Sequence, residues 1–264
     1  MNTPENSAPI LFERRGAIAL ITLNRPDQLN SVDSELAMQL GEALERVQND
    51  PEFRVGVITG AGRAFCAGMD LGEFAAGKPM PTGGNPDWGF AGAVNHPIDK
   101  PLIAAVNGAA VGGGLEIALS CDLICVDEGA KLGLPEVKRG LFAAGGGLLR
   151  IGQQAPLRVG LEIALTGRLF TPAEALGWGL VNRVAPAGTV LEAALELAEQ
   201  IVEVAPLAVR ASKRVVYGAQ HMTLTEAEAW RLNAREMEGV FDSNDAREGA
   251  LAFTEKRAPS WTGA

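Results

Sequence analysis

Up to about Gly145 this chain alternates short apolar strands with helical periods, and beyond that point helices take over almost alone. Ala17 to Leu23 reads as a buried strand ended by the turn Asn24-Arg25-Pro26. Ser31 or Asp33 then caps a helix whose Leu36, Leu40, Leu44 and Val47 recur at helical spacing. Strands follow at Val55 to Thr59, Leu102 to Val106 and Leu123 to Val126, with a helix from about Gly113 to Ser120 and a short extended piece before Pro135. An α/β fold is the class that such an order supports.

Past Gly145 the helical periods run Leu157–Leu165, Pro172–Trp178, Val190–Val204, Leu207–Val216, Leu224–Val240 and Asp245–Lys256, and only Val181 to Val184 looks extended. Between Gly77 and Gly92 lies a stretch with Pro79, Pro81 and Pro86 that is too irregular for an element and too long for a simple connection, so we read it as a mobile wall or lid. Trp88 and Phe90 within it either line a ligand pocket or pin the loop to the core.

A chain of 264 residues with 47% hydrophobic content has enough apolar surface for one large domain, or one domain with an appendage. Its formal net charge of −9 offers no electrostatic footprint for phosphodiester backbones or anionic lipid, so nucleic acid and membrane are not expected partners. Met1 to Asn6 resembles neither a secretory signal nor a transit peptide, and no apolar run is long enough to span a bilayer, which predicts a cytoplasmic protein. Three cysteines, Cys66, Cys121 and Cys125, cannot all pair with one another and suit a reducing compartment. With only His96 and His221 in the chain, neither near them in sequence, no metal site is expected.

Within the stretch Pro101 to Gly147, Glu116 and Glu136 each sit beside a glycine-rich or proline turn. An ionised carboxylate is costly to take out of water unless it is paired, so these two read as working groups. Before Glu116, a strand runs into the small residues of Asn107-Gly108-Ala109-Ala110-Val111, and Gly112-Gly113-Gly114 then open a helix with bare backbone N–H groups that can face an anion or a developing oxyanion. Taken alone, the three glycines are better explained by close packing of strand against helix. Nucleotide loops fail on spacing, since G-x-G-x-x-G from Gly112 would need glycine where Ile117 stands, and the Gly145-Gly146-Gly147 run has Arg150 in the required place. No G-x-S-x-G elbow or H-E-x-x-H helix occurs. A second candidate, Arg63 to Leu71, follows a strand and contains Ala67 and Gly68, where backbone can approach a ligand closely and supply another N–H donor.

Three segments, Gly62-Arg-Ala-Phe-Cys-Ala-Gly-Met-Asp-Leu71, Ala104-Ala-Val-Asn-Gly-Ala-Ala-Val-Gly-Gly-Gly-Leu-Glu116 and Leu134-Pro-Glu-Val-Lys-Arg-Gly-Leu141, resemble the enoyl-CoA hydratase/isomerase family, the crotonases. The resemblance extends from about Ile10 to Gly263, taking in Ala175 to Val181 and Phe253 to Pro259. It implies a spiral of β-β-α units over residues 1–195 that holds a CoA thioester site, with a helical oligomerisation region over 196–264, assembled as a homotrimer or homohexamer. It also implies an acyl-CoA thioester substrate and no separate cofactor, CoA being part of the substrate.

By position, the family's oxyanion hole falls on the N–H groups of Met69 and Gly113, and its two hydratase carboxylates fall on Glu116 and Glu136. Glu116 would then deprotonate water for attack at C3 of a 2-enoyl thioester, and Glu136 would protonate C2. Ala67, Gly68, Asp70, Leu71 and Gly112 are expected around the substrate, while Phe142 reshapes the acyl pocket where short-chain relatives carry proline and glycine. Phe253 and Lys256 match a segment that often contacts CoA. Family isomerases often keep only the carboxylate equivalent to Glu136, so the presence of Glu116 favours a hydratase over an isomerase or another enolate-stabilising enzyme. A non-catalytic thioester binder is the alternative from another class.

Overall fold

The computed structural model describes residues 8–220 and 226–264. Met1 to Asn6, His221 and the first two residues of the expected helix at Leu224 lie outside them. Strands β1 (Ile10–Arg15) and β2 (Ile18–Leu23) pair antiparallel, and α1 (Ser34–Asn49) follows. Of the two candidate caps Asp33 is the one used, its carboxylate accepting the Leu36 N–H at 2.8 Å.

The chain then repeats one unit: a long strand, a short strand, and a helix or turn. The first is β3 (Val55–Gly60), β4 (Ala64–Cys66) and α2 (Leu71–Ala75); the second is β5 (Leu102–Val106), β6 (Ala109–Val111) and α3 (Gly113–Ser120). The third is β7 (Leu123–Asp127), β8 (Leu132–Gly133) and the single 3-10 turn Glu136–Arg139. Beyond it come α4 (Gly147–Gln154), α5 (Leu157–Thr166), β9 (Leu169–Phe170), α6 (Pro172–Trp178), β10 (Arg183–Ala185), α7 (Val190–Val202), α8 (Pro206–Gln220), α9 (Glu226–Phe241) and α10 (Asn244–Glu255).

Long strands form a six-stranded sheet in the order β1-β2-β3-β5-β7-β10, parallel apart from the first pair. Short strands form a second sheet, β4-β6-β8-β9, parallel as far as β8. Both faces of the larger sheet are covered, which is why its strands read as continuous apolar runs rather than as alternation. Parallel register lines up Ile21, Ile58, Ala104 and Ile124 on the face toward α1 and the smaller sheet. On the other face Leu20, Val57 and Ile103 lie under α7, which approaches through the small side chains Ala194 and Ala198.

Helix α7 runs through residue 195 without a break and buries Ala198 in this layer, so the sheet core extends past the expected boundary. The chain end returns to the same layer: Arg54 donates to the carbonyls of Val202 and Trp261, and buried Asp245 accepts the N–H groups of Thr262 and Gly263. Among the described residues no helix is long and apolar enough to cross a membrane.

Several short elements near the site, α2 among them, are absent from the sequence reading. Strands β4 and β6 are three residues each, too short to display a period of two. Helix α4 carries glycine at two of its eight positions, which lowers its intrinsic helical preference and hides it.

Candidate active site

Strands β4, β6 and β8 run parallel side by side, so the chain leaves all three at the same edge of the small sheet. The exits are Ala67-Gly68-Met69, Gly112-Gly113 and Pro135-Glu136, and together they line one cavity of about 610 Å³. Ligands of open α/β sheets characteristically sit beyond such carboxyl ends of strands. Most of the remaining wall is apolar, from Leu71, Phe74, Met80, Phe90, Val111 and Phe142.

Two backbone donors at this space have no partner among the described residues. Val32 forms a parallel bridge to the Met69 segment through the Gly68 carbonyl and the Asp70 N–H, which turns the intervening Met69 N–H to the opposite side. Gly113 is the first residue of α3, its cap Gly112 brings no side-chain acceptor, and the N–H groups of a first helical turn have no partner within the helix. A Cβ on Gly68 would stand 3.0 Å from the Gly113 nitrogen, so the two exits are in contact. Two converging donors at a helix start suit an oxygen that gains negative charge during reaction.

Glu116 lies one turn into α3 and is only 4% exposed. Its Oε1 accepts the Gly147 N–H at 2.9 Å, and the Gly145 N–H also points at its carboxylate. Burial pushes this carboxyl above the ordinary range, while those two N–H groups and the nearby Arg150 pull it back. The fit at Gly145 is close: a Cβ there would lie 2.6 Å from Glu116 Oε2. Gly145→Ala should therefore displace the carboxylate rather than unfold the chain. Displacements of this order cost roughly 10²-fold in rate, and steady-state kinetics set beside a melting curve would show a fall in turnover without a matching fall in stability.

Glu136 opens the 3-10 turn after Pro135, with Oε1 set against the Cβ-free Gly112. Its Oε2 is buried and has no hydrogen-bond partner among the described residues. Burial raises this carboxyl above the ordinary range; its own backbone N–H opposes that, and the negative charge of Glu116 adds to the rise. Two carboxylates on one apolar cavity thus influence each other, and only one of them is held by several donors.

A model of the family described as enoyl-CoA hydratase/isomerase matches residues 13–264. The chain belongs to that family. It is 42% identical over 261 residues to a carnitinyl-CoA dehydratase of Salmonella typhi, covering 97% of this chain and 99% of that protein. Among solved structures it is similar to an enoyl-CoA hydratase of Mycobacterium marinum, with a TM-score of 0.93 and 42% identity over 98% of this chain and 100% of the other. A carnitinyl-CoA hydratase of Mycobacterium avium is 52% identical with a TM-score of 0.79, covering 97% and 99% of the two chains. The β-β-α spiral with a helical C-terminal region is the crotonase fold that the sequence segments imply.

Set within this family fold, most of the expected site residues meet at the cavity: Ala67, Gly68, Met69, Leu71, Gly112, Gly113, Glu116, Glu136 and Phe142. Asp70 does not. Its carboxylate caps α2 through the Gly72 and Glu73 N–H groups and pairs with Arg25. Phe253 and Lys256 sit at the far end of α10 and do not line the cavity within this chain; Phe253 is 86% exposed, and Lys256 ends the helix in a left-handed conformation.

The irregular wall does both things its aromatics allowed. Phe90 is buried against Gly113 and lines the cavity, while Trp88 stacks on His96 at 4.2 Å and pins the loop to Gly41 of α1. Cys66, Cys121 and Cys125 are all buried and free, and burial pushes the first two thiols up to about 12. What the sequence reading missed is the holder of Glu116, the Gly145–Gly147 run, which had been weighed only as a nucleotide loop.

Proposed function

We propose that the chain is an enoyl-CoA hydratase that adds water across the 2,3 double bond of a 2-enoyl-CoA thioester to give the 3-hydroxyacyl-CoA, and catalyses the reverse dehydration. The observation that carries this reading is the meeting of both carboxylates, Glu116 and Glu136, with two unspent N–H donors around one cavity. The Met69 and Gly113 N–H groups hold the thioester carbonyl as it gains enolate charge, an arrangement in which one donor is commonly worth about 10²–10³ in rate. Glu116, gripped by Gly145 and Gly147, orients water and takes its proton as oxygen bonds to C3. Glu136 delivers a proton to C2, and the two carboxyls exchange roles when the reaction runs backward. No separate cofactor enters this scheme, because CoA arrives with the substrate.

Hydration rather than isomerisation follows from Glu116. Moving a double bond between C3 and C2 needs one shuttling base, whereas adding water needs an acid and a base together. Supplying a 2-enoyl and a 3-enoyl thioester separately tests this: the first should gain a hydroxyl and the second should be a poor substrate.

A second reading concerns the acyl group. Relatives named for carnitinyl-CoA act on an acyl chain with a quaternary ammonium end, and this cavity offers Phe74, Phe90 and Phe142 beside two carboxylates, surroundings that suit such a cation. A screen of 2-enoyl thioesters graded by length, with the carnitinyl thioester assayed in the dehydration direction, distinguishes it from plain aliphatic substrates. Phe142 lines the cavity while 65% exposed, so a bound acyl group can cover it. Phe142→Ala should move the ratio of kcat/KM between large and small acyl groups by about tenfold, a contact of this size being worth one or two methylenes.

The homotrimer or homohexamer belongs to the same proposal. Exposed Trp230, Phe241 and Phe253 on α9 and α10, and Leu157, Leu161 and Leu165 on α5, are more apolar than a monomer's surface needs. Sedimentation equilibrium reads the assembly directly.

A further inference from the structure

Arg150 stands on α4 immediately behind the glycine run that grips Glu116. Its own N–H closes the turn on the Gly146 carbonyl, its guanidinium packs against Gly146, and one nitrogen donates to the carbonyl of Val94 in the wall segment. The side chain is half-buried and makes no ion pair among the described residues. Behind it opens a second, polar cavity of about 690 Å³ where His96, Asp122, Lys213 and Tyr217 also face. Of the two acids that line it, Asp87 is exposed, and Asp122 is already engaged: Lys213 pairs with it at 2.8 Å, the Leu102 N–H donates to it at 2.7 Å, and the Tyr217 hydroxyl interacts with it as well.

A guanidinium keeps its proton in a protein, so Arg150 sets a fixed positive charge behind the turn. Cys121 and Tyr217 face it but stay neutral, burial holding both above their ordinary values. The buried acid whose charge reaches it is Glu116, on the other side of the turn. Glu136 has no comparable half-buried cation behind it among the described residues, and Arg139 of its own turn is exposed. Arg139 and Lys78 line the same cavity, and Lys78 is paired with Glu73.

We infer that Arg150 is a positioning residue for the acid–base pair: fixed behind the Gly145–Gly147 turn, its guanidinium keeps Glu116 ionised as the group that deprotonates water and leaves the pair's proton on Glu136. Arg150 does not line the catalytic cavity. It acts through the carboxylate and through the turn that holds it. The inference rests on the hydratase reading of the cavity and assigns the two proton roles within it.

Arg150→Gln removes the charge and keeps a donor for Val94, whereas Arg150→Lys keeps the charge. With a 2-enoyl-CoA thioester, kcat/KM is measured from about pH 5.5 to about pH 8, and melting curves establish that each variant is folded. The base must be ionised to work, so loss of the guanidinium moves the acid limb upward. The ratio of kcat/KM at the high and low ends should rise about tenfold in the Gln variant and stay within about twofold of wild type in the Lys variant. An equal loss at every pH in Arg150→Gln would overturn the inference, as would a Lys variant that behaves like the Gln variant. If Arg150→Gln does not fold, the Lys variant decides alone: a preserved ratio supports the electrostatic role and a preferential loss at low pH overturns it.

Infrared titration of the Glu116 carboxyl, taken as the difference from Glu116→Gln without substrate, reads the same quantity independently of turnover. It should show ionisation delayed to higher pH in Arg150→Gln, and an unchanged titration would overturn the inference. A wild-type enzyme that hydrates no 2-enoyl thioester defeats the hydratase reading instead, and leaves the infrared result to judge Arg150.

Discussion

Glu136→Gln should remove hydration and at the same time raise the melting temperature at neutral pH. The first effect is the loss of the acid that protonates C2, for which about 10²–10⁴ in kcat is expected. The second comes from the cost of the wild-type group: a half-buried carboxyl whose Oε2 has no partner, with its proton affinity raised by burial and by the charge of Glu116. The sign follows from proton binding. A carboxyl whose folded-state pKa is raised binds more protons folded than unfolded, so its contribution to stability falls as pH climbs from the ordinary carboxylate value of about 4.3 through the folded value. A neutral amide has no such dependence. The gain in Tm over wild type should therefore be small near about pH 4 and widen to a few degrees toward neutral pH, as differential scanning calorimetry across that range would record. Rate and stability moving in opposite directions separates a working group from a packing group.

Glu116→Gln should lose activity as severely, without the same gain in stability. Its Oε1 already accepts the Gly147 N–H at 2.9 Å, and an amide oxygen can keep that bond. What disappears is the base, so kcat should fall by about 10²–10⁴ while KM changes little. The double variant Glu116→Gln, Glu136→Gln should be barely worse than either single one, because the two act as a unit and their effects do not add. Single-turnover kinetics on one 2-enoyl thioester would show it.

The parts of the site that the sequence made legible are those where chemistry and backbone agree. Glycines 112–114 between a strand and an apolar helix predicted bare N–H groups at the start of α3, and the helix begins at Gly113 as expected. Carboxylates set beside glycine and proline turns predicted Glu116 and Glu136, and both line the cavity. What the sequence hid was the frame that brings them together: β4, β6 and β8 are two or three residues long, and their meaning lies in pairing with one another rather than in local periodicity. Asp70 shows the converse, since a carboxylate within a matching segment can be consumed by a helix cap and an arginine. The role of Arg150 was invisible for a similar reason: thirty-four positions separate it from Glu116 in the chain, and only the turn at Gly146 brings the two to face each other.

One measurement bears most directly on the claim that Glu116 and Glu136 together add water to an enoyl thioester. A 2-enoyl-CoA thioester incubated with the enzyme in deuterium oxide, and resolved by mass spectrometry and NMR, should yield a 3-hydroxyacyl-CoA with one oxygen gained at C3 and one deuteron at C2. Formation should stop in Glu116→Gln and in Glu136→Gln. Recovery of the 2-enoyl thioester without a hydroxylated product, from an enzyme that converts the 3-enoyl isomer freely, would contradict the account.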